Sequence, residues 1–81
     1  MISPEREAVL MAGAAVPEML QWFERPRPAG PSFDLDMWLH APDNALNWSR
    51  YFEDRGALGL AVAFIAISRM MRSRITAGGD R

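Results

Sequence analysis

The residues best suited to chemistry lie in one short segment of this 81-residue chain. Three carboxylates and the only imidazole fall within it, at Asp34, Asp36, His40 and Asp43. A metal site needs three or more such groups converging on one point, with further side chains that orient them. The acids coincide instead with positions expected at helix N-termini, where capping and the helix dipole already account for them. The sequence therefore predicts helix caps here and no metal site.

Machinery for covalent or cofactor chemistry is not visible in the sequence. The chain has no cysteine, which excludes a thiolate metal site, a cysteine nucleophile and a disulfide scaffold. His40 has no partner at a Ser/His/Asp spacing that would make it a general base. Glycine-rich phosphate loops and other catalytic motifs are also missing from the sequence. We therefore expect no enzyme, no cofactor and no small-molecule substrate.

The charge and the aromatic content of the chain indicate proteins as partners. A net charge of −1 argues against a nucleic-acid binder that relies on cationic charge. The middle of the chain carries more aromatic side chains than a short helix can bury. Binding energy at protein interfaces concentrates in a few aromatic and arginine anchors. We expect four residues to act as such anchors: Trp38, Trp48, Arg50 and Tyr51.

The N-terminal part of the chain predicts helix over residues 4–25. Ser3 is suited to be the N-cap, and Pro4 suits the first helical position. Apolar residues then recur with a helical period along a wide face. Pro17 removes a backbone hydrogen bond inside this pattern. We therefore expect either a kink before Pro17 or a second helix that begins at it.

The segment that follows contains the clearest boundary in the chain. Three prolines between residues 26 and 31 forbid helix and favour an extended path. A stiff connector is the favoured interpretation, and a proline-rich ligand segment is the alternative. Beyond it, Ser32 is a second expected N-cap for a helix over residues 33–40.

Pro42 is expected to end that short helix, because a proline cannot donate a backbone hydrogen bond inside a helix. A further helix is expected over residues 43–55, capped by Asp43 and Asn44. Gly56 suits a helix C-cap or a hinge. A hairpin at Gly56 and one long helix over residues 43–76 both remain open.

The last helix, expected over residues 57–76, is unusually apolar. Residues 56–68 carry no charge, and arginines follow at the C-terminal end, where the helix dipole favours cations. A helix that is apolar on all sides is expected to be buried on all sides, by protein or by lipid. The uncharged stretch spans roughly 20 Å, which is shorter than the roughly 30 Å of a bilayer core. A central helix in a bundle or an oligomer is therefore favoured over insertion into lipid.

These features predict an all-α fold for residues 1–81. We expect a single domain, a small bundle of three to four helices, with the hydrophobic C-terminal helix as its central element. Most of the buried surface is expected from eight residues: Trp22, Phe23, Trp38, Trp48, Phe52, Leu60, Phe64 and Ile67. Loss of the fold on replacing Trp38 and Trp48 with alanine would assign both to the core rather than to a binding surface.

The expected function is a non-enzymatic protein-interaction module, such as a small assembly factor, adaptor or inhibitor. It would bind a protein partner or further copies of itself through apolar and aromatic helix surfaces. The alternative is a small membrane-associated or holin-like subunit with residues 56–71 in lipid. No secretory signal is visible, which favours a cytoplasmic location. The short, cysteine-free composition rich in Ala and Arg is typical of small proteins encoded by bacteriophages.

Overall fold

A computed structural model describes residues 2–79, with side-chain surroundings for all of them except residues 23, 78 and 79. This part of the chain forms four helices: α1 (Pro4–Ala15), α2 (Pro17–Glu24), α3 (Phe33–Asp54) and α4 (Leu58–Gly79). Helix α4 packs against both α3 and α1, while α2 packs against α1 and α3. The predicted all-α bundle with a central C-terminal helix is confirmed.

The boundary between α1 and α2 is set by Pro17. Ser3 Oγ accepts a hydrogen bond from the backbone N–H of Arg6 at 3.1 Å, which confirms the predicted N-cap of α1. Helix α1 ends at Ala15, and Pro17 takes the first position of α2. The missing N–H of proline loses no helical hydrogen bond at that position. Of the two predicted outcomes, the chain adopts two separate helices.

Helix α3 runs without interruption through Pro42, so the predicted break between two short helices is wrong. A proline inside a helix costs about 3 kcal/mol. Pro42 is buried, and its carbonyl oxygen accepts a hydrogen bond from Ser68 Oγ of α4 at 2.9 Å. This hydrogen bond contributes about 1 kcal/mol and joins the middle of α3 to α4. Asp43 and Asn44 therefore lie in the middle of α3 and do not cap a helix.

The turn at Gly56 joins α3 and α4 as a hairpin. Gly56 has a φ of +80°, in the left-handed region that glycine enters without steric cost. The N–H of Ala57 donates to the carbonyl of Phe52 at 2.9 Å, which satisfies one carbonyl at the end of α3. The hairpin is thus the observed alternative to one long helix. Helix α4 continues to Gly79, beyond the predicted end at Thr76.

The core contains few large side chains. Phe64 and Ile67 of α4 are enclosed, and Trp38 of α3 is 5% exposed, as predicted for all three. Four other predicted core residues are half-buried: Trp22, Trp48, Phe52 and Leu60. The eighth, Phe23, has its side chain outside the described residues.

Much of the remaining core is alanine, which the prediction did not include. The buried alanines are spread over three helices: Ala8, Ala12, Ala41, Ala45, Ala61 and Ala63. Because an alanine side chain is a single methyl group, helices that meet through it approach each other closely.

Candidate functional site

The segment around His40 forms no convergent chemical site. Asp43 Oδ1 accepts a hydrogen bond from Arg72 Nη2 of α4 at 2.9 Å. His40 is exposed, and its Nδ1 lies 2.7 Å from the carbonyl oxygen of Asp36. Within residues 2–79, no three His, Asp or Glu side chains come together in a way that could hold a metal ion. The contacts made by these polar groups join neighbouring turns and helices.

The four predicted partner-binding residues fall into different environments. Trp38 is buried, and its indole Nε1 donates to the carbonyl of Arg25 at 3.3 Å. Its side chain is part of the core and offers no exposed anchor. Arg50 is exposed on α3, and Tyr51 is 43% exposed. A binding role for these two surface residues stays a prediction.

Trp48 lies between the surface and the core. Its ring packs edge-on to Tyr51, with 5.4 Å between centroids, and stacks with Phe52 at 5.9 Å. Phe64 of α4 stacks on Phe52 at 5.6 Å, so this aromatic row joins α3 to α4. The outer end of the row is covered by Arg55, whose guanidinium lies 4.2 Å from the centre of the Tyr51 ring. Most of this aromatic surface is thus used within the chain.

An apolar groove that was not predicted from the sequence lies between α1 and α4. Its volume is about 540 Å³. We call it the α1–α4 groove, and its lining residues are Pro4, Glu7, Ala8, Met11, Leu58, Gly59, Val62, Ala63 and Ala66. Among these described lining residues, Glu7 is the one that carries a charge. The groove therefore presents almost pure hydrocarbon to an incoming surface.

The α4 side of the groove is built from two adjacent stripes of the helix. Leu58, Val62 and Ile65 recur at helical spacing. Leu58 and Val62 line the groove and are 61% and 64% exposed, whereas Ile65 lies outside the lining. Gly59 and Ala63 run alongside and leave room beside them. Within the chain, the first stripe of α4 is not buried, so its expected burial on all sides stays a prediction that depends on a partner, a second copy or lipid. Helices α1 and α3 cover other faces of α4 and leave this one open.

Helix α4 also bears on the membrane alternative. None of the helices in the described part of the chain combines the length and the apolar content that crossing a bilayer requires.

The chemistry of the groove favours contact with another apolar surface. Sites for small molecules combine an apolar wall with several polar groups that fix orientation. Among the described lining residues of the groove, Glu7 alone carries a charged side chain that could orient a small molecule. Within the described residues, no buried side-chain nitrogen or oxygen lacks a hydrogen-bond partner, so no orphaned group points into the groove.

Comparisons with known proteins add no further information about the groove. No protein-family model, no curated protein and no solved structure matches this chain.

Proposed function

We propose that this chain is a non-enzymatic protein-interaction module that binds an amphipathic helix of a partner protein in the α1–α4 groove. An assembly factor, an adaptor or an inhibitor would work in this way. The observation that carries the proposal is the exposure of Leu58 and Val62 beside a groove, on a helix whose other faces form the core. Scattered exposed apolar residues are normal, but a contiguous apolar patch marks an interaction surface.

The dimensions of the groove suit a helix. Its α4 wall runs from Leu58 to Ala66, which is about 12 Å or two helical turns. The small residues Gly59, Ala63 and Ala66 allow a neighbouring backbone to come close. Amphipathic helices bind such grooves through apolar residues spaced three or four apart. A segment of two to three turns would place two or three of these residues against the wall.

The groove itself supplies only part of the free energy of binding. Leu58 and Val62 are each about three-fifths exposed, so covering either contributes about 1 kcal/mol. Met11 is 38% exposed and adds a smaller amount. A micromolar dissociation constant corresponds to about 8 kcal/mol, and association also costs translational, rotational and side-chain freedom. The apolar face of the partner helix must therefore supply much of the free energy of binding.

Charge adds a criterion for the partner. Glu7 lines the groove and belongs to an exposed turn of α1. A Lys or Arg beside the apolar face of the partner helix would pair with it. Such rim charges affect the rate of association and the choice of partner more than they affect affinity.

The exposed stripe could also meet a second copy of the chain or a membrane-associated surface, as in the holin-like alternative. Two measurements on the wild type and on Val62→Glu separate these cases. Size-exclusion chromatography with light scattering gives the oligomeric state, and flotation with anionic vesicles reports binding to lipid. A wild-type monomer near 9.1 kDa that does not float supports a foreign helix as the occupant. An oligomer that Val62→Glu dissociates would assign the face to self-association. Flotation that the same variant abolishes would assign it to lipid.

A further inference from the structure

Three arginines gather around two tryptophans on a surface that shares no residue with the α1–α4 groove. The guanidinium carbon of Arg25 lies 4.8 Å from the centre of the Trp22 ring. Those of Arg27 and Arg74 lie 5.5 Å and 5.8 Å from the centre of the Trp38 ring. We call Arg25, Arg27 and Arg74 the arginine patch. Each contact lies within the range of cation–π attraction.

The backbone of the connector holds this patch in place. The carbonyl oxygen of Arg25 accepts hydrogen bonds from Arg74 Nη2 at 2.7 Å and from Trp38 Nε1 at 3.3 Å. Helices α3 and α4 thus both hold the start of the connector. Arg74 acts as a positioning residue for Arg25, so recognition of a ligand falls to Arg25 and Arg27.

The charge of these two arginines is only weakly balanced. Asp34 Oδ2 lies 3.9 Å from Arg25 Nη1, and both side chains are substantially exposed. Among the described residues, no carboxylate forms an ion pair with Arg27, which is exposed. Stacking on a ring leaves the in-plane N–H donors of a guanidinium available at its edge. The Arg25 side chain is 36% exposed and Arg27 is exposed, so a ligand can reach both guanidinium groups from solvent.

From this arrangement we infer that Arg25 and Arg27 bind an acidic, extended segment of a partner protein. Each guanidinium donates two parallel hydrogen bonds to an Asp or Glu carboxylate of that segment, the geometry for which arginine is best suited. Because the two side chains are already held against tryptophan rings, little side-chain freedom is lost on binding. The partner is thus recognised by closely spaced carboxylates.

Nucleic acid fits the same surface poorly. Proteins that bind single strands offer free aromatic faces on which bases stack. Trp38 is buried, and arginines already lie over both Trp22 and Trp38. The net charge of −1 also opposes the approach of a polyphosphate chain.

The test is fluorescence anisotropy of a labelled Glu-rich peptide titrated with the full chain. The informative variant is Arg27→Ala, and the matched control is Arg69→Ala. Arg69 is also exposed and lies on α4 about 140° around the helix from Arg74, so the control changes net charge equally on another face. Arg25→Lys is a second variant that keeps the charge but loses the fork. Circular dichroism checks that each variant is folded.

We expect Arg27→Ala to weaken peptide binding about five-fold or more and Arg69→Ala to weaken it less than about two-fold. Arg25→Lys should weaken it about three-fold with an unchanged melting temperature. Equal losses in Arg27→Ala and Arg69→Ala would overturn the inference, because general charge would then explain binding. Failure of the wild type to bind the peptide, or tighter binding to an oligothymidine or to phosphatidylserine vesicles, would overturn it as well.

Discussion

Ser49 donates its hydroxyl hydrogen to the carbonyl oxygen of Ala61 at 2.8 Å, inside the contact between α3 and α4. Ser68 makes a similar bond to Pro42, further from the Gly56 turn. Both serines are buried. A shift of one helix along the other would leave these hydroxyls without partners, at a cost of about 1–3 kcal/mol each. The two bonds therefore fix the register of the α3–α4 hairpin, whose second helix forms one wall of the α1–α4 groove.

Replacing Ser68 tests this role. We expect Ser68→Ala to lower the free energy of unfolding by about 1 kcal/mol, because α3 and α4 lose one buried hydrogen bond. Ser73→Ala is the matched control, since Ser73 is exposed on the same helix, and should change stability by less than about 0.5 kcal/mol. Urea denaturation followed by circular dichroism measures both. Equal effects at the two positions would argue against a register role for Ser68.

Trp38 provides a second prediction, because the sequence placed it both in the core and at a binding surface. Its burial leads us to expect that Trp38→Ala lowers the free energy of unfolding by about 3–5 kcal/mol. Tyr51→Ala should cost about 1 kcal/mol, since Tyr51 is 43% exposed. Thermal unfolding followed by circular dichroism gives the comparison. A Trp38→Ala variant as stable as the wild type would restore the anchor role predicted from the sequence.

Features set by neighbouring residues could be predicted from the sequence. Ser3 and Ser32 cap α1 and α3 because an N-cap depends on a backbone N–H only two or three positions away. Pro17 begins α2 for a similarly local reason. Pro42 was predicted wrongly because the prediction rested on the local cost of a proline, whereas Pro42 is buried within a helix that packs against others. Packing between residues distant in sequence is not visible in local signals.

The candidate site was only partly visible in the sequence for the same reason. The stripe through Leu58, Val62 and Ile65 can be read from its spacing, as can the small pair Gly59 and Ala63. Which face of α4 stays uncovered depends on how the other helices pack. The aromatic residues of the middle segment carry a stronger sequence signal, but Trp38 is buried and Trp48 stacks with Phe52 within the chain.

Two glycines next to the hairpin should respond to alanine in opposite directions. Gly56→Ala should lower the free energy of unfolding by about 1 kcal/mol or more, because a φ of +80° is unfavourable for a residue with a Cβ. Gly59→Ala should raise it by up to about 1 kcal/mol, since alanine is the better helix former. A Cβ at Gly59 would meet Met11 Cε at 3.5 Å, an ordinary contact. Chemical denaturation decides the signs, and the same sign for both would contradict this description of the turn.

The exposed stripe of α4 should be dispensable for folding. Val62→Gln should change the free energy of unfolding by less than about 0.5 kcal/mol, because Val62 is mostly exposed. Ile67→Gln on the same helix is the control and should unfold the domain, since Ile67 is 2% exposed. Denaturation curves for the two variants test the contrast. Strong destabilisation by Val62→Gln would mean that the stripe serves folding or obligate self-association.

Site-specific photo-crosslinking tests most directly whether the α1–α4 groove holds a helix of another protein. A p-benzoylphenylalanine is placed at Val62, and separately at Leu39, a partly exposed apolar residue of α3 outside the groove. Both forms are irradiated in the cells that make the protein. We predict a defined adduct from position 62 that maps to an amphipathic helical segment of a different chain. That adduct should be absent from position 39 and lost when Leu58→Glu is added. The same adducts from both positions, or adducts only with lipid or with copies of this chain, would contradict the claim.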